Sequence, residues 1–256
     1  MEILFFVAMM LLLIYVMYRN ITLVKRYRHN KEYIECYKEM LAGTETAYEH
    51  INAYIGSEDS DEFKNKARVL KLYEQMDTEE DISETLNDLD LKEIFYRKGK
   101  YSKKQTLMNV DVFVWIYLVM AKARRLSKFD VLNGLCEKLS ELEGLDRRVE
   151  YQLCRAIYNA LCEKEDAGVE LLSSLLDGGF AQYEYEKNLI GLFKRFAAAT
   201  LAYSGEPMED YYKEDLRDFA STQIGGSYMK NLEIYEKYLP KKDTESEEPL
   251  QENEKE

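Results

Sequence analysis

Sixteen consecutive residues without a charge, Ile3 to Tyr18 (ILFFVAMMLLLIYVMY), constrain this chain more than any other feature. Arg19 and Asn20 interrupt the run, and Ile21 to Val24 extend it before Lys25. A spanning helix takes roughly 17–25 residues, so the strict run is short. Arg19 can snorkel and lengthen the usable span. A cleaved signal peptide calls for a basic start and a small-residue cleavage site. Here only Met1 and Glu2 precede the run, which ends in Tyr15, Met17 and Tyr18. The expectation is an uncleaved anchor that contacts the membrane through residues 3–24. Arg19, Lys25, Arg26, Arg28 and Lys31 follow the span, and Glu2 is the only charge before it. The positive-inside rule then puts the N-terminus outside and the C-terminal domain on the cytoplasmic face of the cell membrane, single-pass. The same basic flank would attract anionic headgroups.

Composition narrows the rest. Among 256 residues, 46% apolar and 32% charged, there are 3 Pro and 12 Gly, too few turn signals for an all-β chain. A net charge of −13 argues against nucleic-acid binding, which needs a dominant basic face. Residues 241–256 hold three basic and seven acidic residues and a single apolar one, Leu250, and are expected to be a disordered acidic tail.

Between 22 and 240 apolar residues recur at three and four, with no strand pattern. Tyr33, Ile34, Tyr37, Met40 and Leu41, continued by Tyr48, Ile51 and Ile55, predict one helix running from the anchor to Gly56. A second is expected over about 61–76. Thr78 with Asp81 resembles a capping box, and Ser102 with Gln105 caps the apolar helix TLMNVDVFVWIYLVMAKARRL. In that helix Val112 to Ala121 is too short to span a membrane and predicts the most buried helix of the body. Ser127 and Asp130 are read as the next cap, with Gly144 as its end. Asp146 opens a helix to about Glu163; Glu165–Leu176 and Phe180–Tyr203 follow, and the last helix covers about 227–239.

These helices are expected to pair as antiparallel hairpins. Within 147–179, Tyr151, Cys154 and Tyr158 are followed by Ala167, Leu171, Ser174 and Gly179. This stretch resembles a tetratricopeptide repeat (TPR), with Ala167 at the close approach of its two helices. Arg155 departs from the pattern by replacing a small residue. Trp115 lies 36 residues before Tyr151, and from it Leu118 and Leu135 fit while Lys122 and Val131 do not. Phe193, Phe196 and Ala197 have a similar look. The fold class expected is all-α: a transmembrane helix, then a short TPR-like α-solenoid. An unrelated helical bundle is the alternative. The domain division is 1–24 anchor, 25–105 juxtamembrane and N-terminal helices, 106–240 TPR-like domain and 241–256 tail.

Chemistry is sparse. Cys36, Cys136, Cys154 and Cys162 contain no C-x-x-C, so neither zinc nor redox signatures arise. Cys154, Tyr158 and Cys162 are read as a buried stripe of a reduced core. His29 and His50 have no second histidine in range for a metal site. The glycine pairs 178–179 and 225–226 lack the Lys and Ser/Thr of a phosphate loop. No cofactor, metal or catalytic residue is expected, and the chain is not read as an enzyme. The 21 tyrosines suit core packing, or a binding groove.

Membership of the repeat family implies a peptide-binding adaptor or scaffold that holds a protein partner at the membrane. In such stacks the first helix of each pair lines the concave face. On it Gln152, Arg155 and Asn159 share one polar face at i, i+3, i+7, and Lys187, Lys194 and Arg195 occupy the next first-position helix. Such a groove suits a carboxylate-bearing peptide, unless these residues simply face water. Residues 97–104 hold five basic residues, among them Lys98, Lys100, Lys103 and Lys104. They read either as a lipid contact or as a solvated connector. A regulatory subunit binding lipid or a small ligand at the inner membrane face is the alternative function.

Overall fold

The computed structural model describes residues 2–78, 80–145, 148–162, 165–182 and 187–239, without the side chains of 2–8, 11, 165, 182, 187 and 188. The tail 241–256, the expected helix start at Asp146 and the side chain of Lys187 lie outside the described residues. What is described is predominantly helical, as the spacing of apolar residues predicts.

Helix α1 (Glu2–Ala42) runs for 41 residues without a break. Its described apolar side chains up to Val24 are exposed, and burial begins at Tyr33, Cys36 and Met40, one face of the helix. Among the described residues no helix is long and apolar enough to cross a membrane. The side chains of 3–8 and 11, part of the apolar run, are outside that description. The helix does not continue to Gly56 as the stripe suggested. Gly43 adopts φ +64°, and the N–H groups of Gly43 and Thr44 cap Met40 and Glu39 carbonyls at 3.0 and 3.2 Å. The chain turns there, and α2 (Ala47–Ser57) folds back along α1, with His50 Nδ1 2.6 Å from Glu39 and the Tyr54 hydroxyl donating to the His29 carbonyl at 3.2 Å.

Helix α3 (Asp61–Gln75) matches its predicted span. At α4 (Ile82–Asp88) the cap is Asp81, which accepts from the Ser83 N–H at 2.9 Å; Thr78 instead bonds the Gln75 carbonyl. After α5 (Leu91–Phe95) comes a feature that the sequence reading missed. Tyr96–Arg97 (β1) and Lys100–Tyr101 (β2) pair in an antiparallel hairpin. Lys98 and Gly99 form its turn with φ of 53° and 71°, the type I′ arrangement that matches strand twist. Strands of two residues are too short to show an alternating pattern.

Ser102 caps as expected, accepting from the Gln105 N–H at 3.3 Å, but the helix that it opens is only α6 (Lys103–Met108). Helix α7 (Val110–Arg125) follows separately, and Val112 to Ala123 are all buried. Ser127 does not cap α8 (Phe129–Ser140); it takes φ +55° in the turn before it. Helices α9 (Val149–Leu161) and α10 (Glu165–Leu176) form the hairpin that resembled a repeat. Its close approach is made by Gly168, where a Cβ would lie 2.2 Å from the Ala160 nitrogen, while Ala167 is exposed. The buried residues beyond it are Leu172 and Leu175, not Leu171 and Ser174, so the second helix is one residue out of the predicted register. Helices α11 (Lys187–Tyr203), α12 (Asp210–Ser221), α13 (Gln223–Asn231) and α14 (Tyr235–Tyr238) complete the described body. The single helix expected over 227–239 is divided at Glu233, whose φ is +58°.

Helix α7 is the axis of the core. Trp115 meets Tyr37 of α1 and Tyr73 of α3 edge-on at 5.1 and 5.6 Å, Phe113 stacks on Phe95 at 4.7 Å, and Tyr117 meets Phe196 of α11 at 5.1 Å. Helix α13 returns to pack on α7, and Asn231 donates to the Tyr73 hydroxyl at 3.0 Å across 158 residues of sequence. This closure differs from a solenoid, in which each hairpin touches only its neighbours. One hydrophobic cluster extends from Tyr33 to Ile234. Tyr33, Tyr117 and Tyr228 are wholly buried in it, and the latter two reach the Glu150 carbonyl and the Thr200 hydroxyl at 3.0 and 2.8 Å.

Candidate functional site

The outer strip of α9 is polar because its other faces are occupied. Val149, Leu153, Cys154, Ile157 and Ala160 are buried among α7, α8, α10 and α11. Gln152 and Asn159 are left half-buried and Arg155 exposed. Tyr158 and Cys162 belong to this edge and not to a buried stripe with Cys154. Eight residues turn a helix about 80° beyond two full turns, enough to carry Cys162 out of the core.

At the C-terminal end of this strip α7, α8 and α9 enclose a hollow of about 460 Å³. Its walls include Arg124, Phe129, Asn133, Tyr158, Asn159 and Cys162. Val131, Leu132, Leu135 and Leu139 turn α8 inward, which leaves Phe129 and Asn133 facing the hollow. The Tyr158 hydroxyl donates to Asn133 Oδ1 at 2.8 Å, and burial beside the Cys162 and Cys136 thiols pushes its pKa up. The Arg124 guanidinium stands 5.4 Å from the Phe129 ring centre. Its Nε is buried, with no hydrogen-bond partner among the described residues. Neither Arg124 nor Arg155 has a carboxylate within ion-pair reach among the described residues. A forked cation beside an aromatic ring and two amides is chemistry for a carboxylate and the peptide carbonyls next to it.

Of the six partner-binding residues expected from sequence, Asn159 lines the hollow and Arg155 and Gln152 continue the strip. Lys194 and Arg195 of α11 are not among the residues that line the hollow. Lys194 is half-buried, and Arg195 is engaged with Asp215 of α12, Nε at 2.9 Å and Nη2 at 2.6 Å, a hydrogen bond that raises the guanidinium pKa further. Arg124, Phe129 and Asn133 were missed. They come from other helices, and only the basic end of α7 hinted at them.

Two other polar clusters are self-satisfied. A cleft of about 580 Å³ lies among α1, α3, α7 and α13 beside Lys122. The Lys122 ammonium is buried, donates to the Tyr73 carbonyl at 2.6 Å and pairs with Asp77; burial lowers its pKa, and burial raises that of neighbouring Glu74. His29 lies between Glu58 and Asp59, a set of groups close enough for a metal ion. However, Nδ1 faces Glu58 at 2.8 Å and Nε2 faces Asp59 at 3.6 Å, so the carboxylates sit at different ring nitrogens. Glu58 also accepts from the Tyr54 hydroxyl and the Ser60 N–H at 2.7 and 2.8 Å. This is an imidazole clasp between α1 and the loop after α2.

Of the membrane-contacting set, Arg19 and Lys25 are exposed on α1, Arg26 pairs with Glu62 at 2.9 Å and Arg28 with Glu32 at 3.0 Å. Lys98, Lys100, Lys103 and Lys104 are exposed on the hairpin and α6. Compared with known proteins, the chain matches no family model, no curated protein and no solved structure.

Proposed function

We propose that the protein is a single-pass, membrane-anchored adaptor whose cytosolic helical body holds a carboxylate-bearing peptide segment of a partner protein in the hollow between α8 and α9. The observation that carries this reading is a pair of guanidinium groups without acidic partners among the described residues of a chain of net charge −13: Arg124 in the wall of an aromatic-lined hollow, and Arg155 on the strip that leads to it. The anchor is supported by the unbroken α1, whose described apolar side chains between Met9 and Val24 are exposed. Five basic residues after the run, against one acidic residue before it, favour a cytosolic body. The α9–α10 hairpin keeps the antiparallel pairing of a TPR-like unit, and the adaptor role is consistent with that likeness. The cleft beside Lys122 favours a small-ligand role less, because Asp77 and the Tyr73 carbonyl already satisfy its cation.

A peptide array probed with the full chain in lipid nanodiscs tests the reading. Acidic peptides should be retained, and Arg124→Ala with Arg155→Ala should weaken their binding about tenfold or more, since charge-assisted hydrogen bonds contribute about 1.5–3 kcal/mol each. The melting curve should stay unchanged. Equal retention by the double variant, or no preference for acidic peptides, would remove the hollow as the binding site.

A further inference from the structure

Helix α6 is inside out for a protein surrounded by water. Its inward residue is Thr106, wholly buried, and Asn109 just beyond its end is 1% exposed, whereas Leu107 and Met108 face outward at 42% and 44%. Lys103 and Lys104 lie one turn before them on the same outward face. Arg97, Lys98, Lys100, Lys103 and Lys104 have no carboxylate within ion-pair reach among the described residues. The position of α6 is fixed: Asn109 donates to Glu62 at 3.0 Å and to the Ile94 carbonyl at 2.9 Å, and the same Glu62 oxygen accepts from Arg26 of α1. Met108 and α1 residues Leu23, Val24 and Tyr27 consequently line one open hollow.

We infer that α6 and the hairpin before it form a seat on the inner leaflet of the membrane, with Leu107 and Met108 entering the acyl boundary and the five basic residues meeting anionic lipid headgroups. This rests on the membrane-anchor reading of α1. The length of α1 supports the level: the helix rises about 30 Å from Ile3 to Leu23, the thickness of the hydrocarbon core. Leu23 to Tyr27 then stand at the inner interface, and Met108 stands beside them. Short amphipathic segments with outward apolar residues flanked by lysines bind such boundaries through both terms, and the charge term depends on salt and lipid composition.

The test uses the full chain in nanodiscs containing a photoactivatable diazirine phospholipid, with crosslinked peptides mapped by mass spectrometry. In phosphatidylcholine with 30% phosphatidylserine, adducts are expected both on residues 3–24 and on 103–108. Labelling of 103–108 should fall at least fivefold in pure phosphatidylcholine, in 0.5 M salt, and when Lys98, Lys100, Lys103 and Lys104 are changed to Gln. Leu107→Ser with Met108→Ser should reduce it similarly, and these exposed positions leave folding intact. Adducts on 3–24 without adducts on 103–108 would overturn the seat and leave the anchor standing. Absence from both segments would overturn the anchor and the seat together. Equal labelling of 103–108 in pure phosphatidylcholine would overturn the requirement for anionic lipid.

Discussion

Glu74 shows how a single side chain can carry a pH signature. Burial raises its pKa above the ordinary 4.5, with the Lys122 charge opposing that shift and Asp77 adding to it. The folded state therefore holds this proton more tightly than the unfolded chain. The favourable contribution is present at low pH and is lost as pH rises from about 4.5 through the folded value. Glu74→Gln should flatten that decline and leave the protein slightly more stable at neutral pH. Urea titrations of both forms at pH 4.5, 6 and 7.5 would check this; parallel pH dependences would contradict it. The buried thiols behave as their surroundings require: Cys36 is pushed up to about 11, which keeps it protonated and unreactive at neutral pH.

Helix pairing depends on small residues at particular places, and Gly168 is the clearest case. A methyl group there would collide with the backbone of Ala160, which belongs to a helix held on several sides. Gly168→Ala should destabilise the protein by about 1–3 kcal/mol by overpacking, despite the roughly 1 kcal/mol advantage of alanine in an isolated helix. Ala167→Gly one position away, on an exposed side, should cost only about 1 kcal/mol. Thermal melts of the two variants distinguish the registers, and the reverse ranking would restore Ala167 as the contact residue. The two small residues are adjacent in sequence, so periodicity alone could not choose between them. The limits of α3 and α10, and the end of α7, were legible because their apolar stripes end at clear breaks; the start of α7 was not, since the same stripe runs on from α6. The turn at Gly43 was not, since Tyr48, Ile51 and Ile55 continue the same spacing on a separate helix. Likewise the polar strip of α9 could be read from its own sequence. The hollow could not, because Arg124, Phe129 and Asn133 arrive from α7 and α8.

The molecule as a whole depends on its chain returning to α7. Tyr228, Met229, Leu232 and Ile234 are all buried against the core. At about 1.5–3 kcal/mol for each large apolar side chain, their loss compares with the entire 5–15 kcal/mol stability of an ordinary domain. A chain ending at Thr222 should lose cooperative unfolding and near-ultraviolet circular dichroism while keeping much of its helical signal. A sharp melt in that truncated form would show that α13 is an appendage and not part of the core.

Helix α1 enters this core with no joint. The helix that carries the exposed apolar segment is the same one that packs Tyr33, Cys36 and Met40, and the Arg26–Glu62 pair and the His29 clasp brace it where it meets the body. In the proposed arrangement the body is mounted like a rudder on its post. Rotation or tilt of the post within the bilayer becomes a change of heading for the hollow between α8 and α9. Such a mount narrows the directions from which a partner can approach. It also makes the local thickness of the bilayer, which sets helix tilt, an input to that heading.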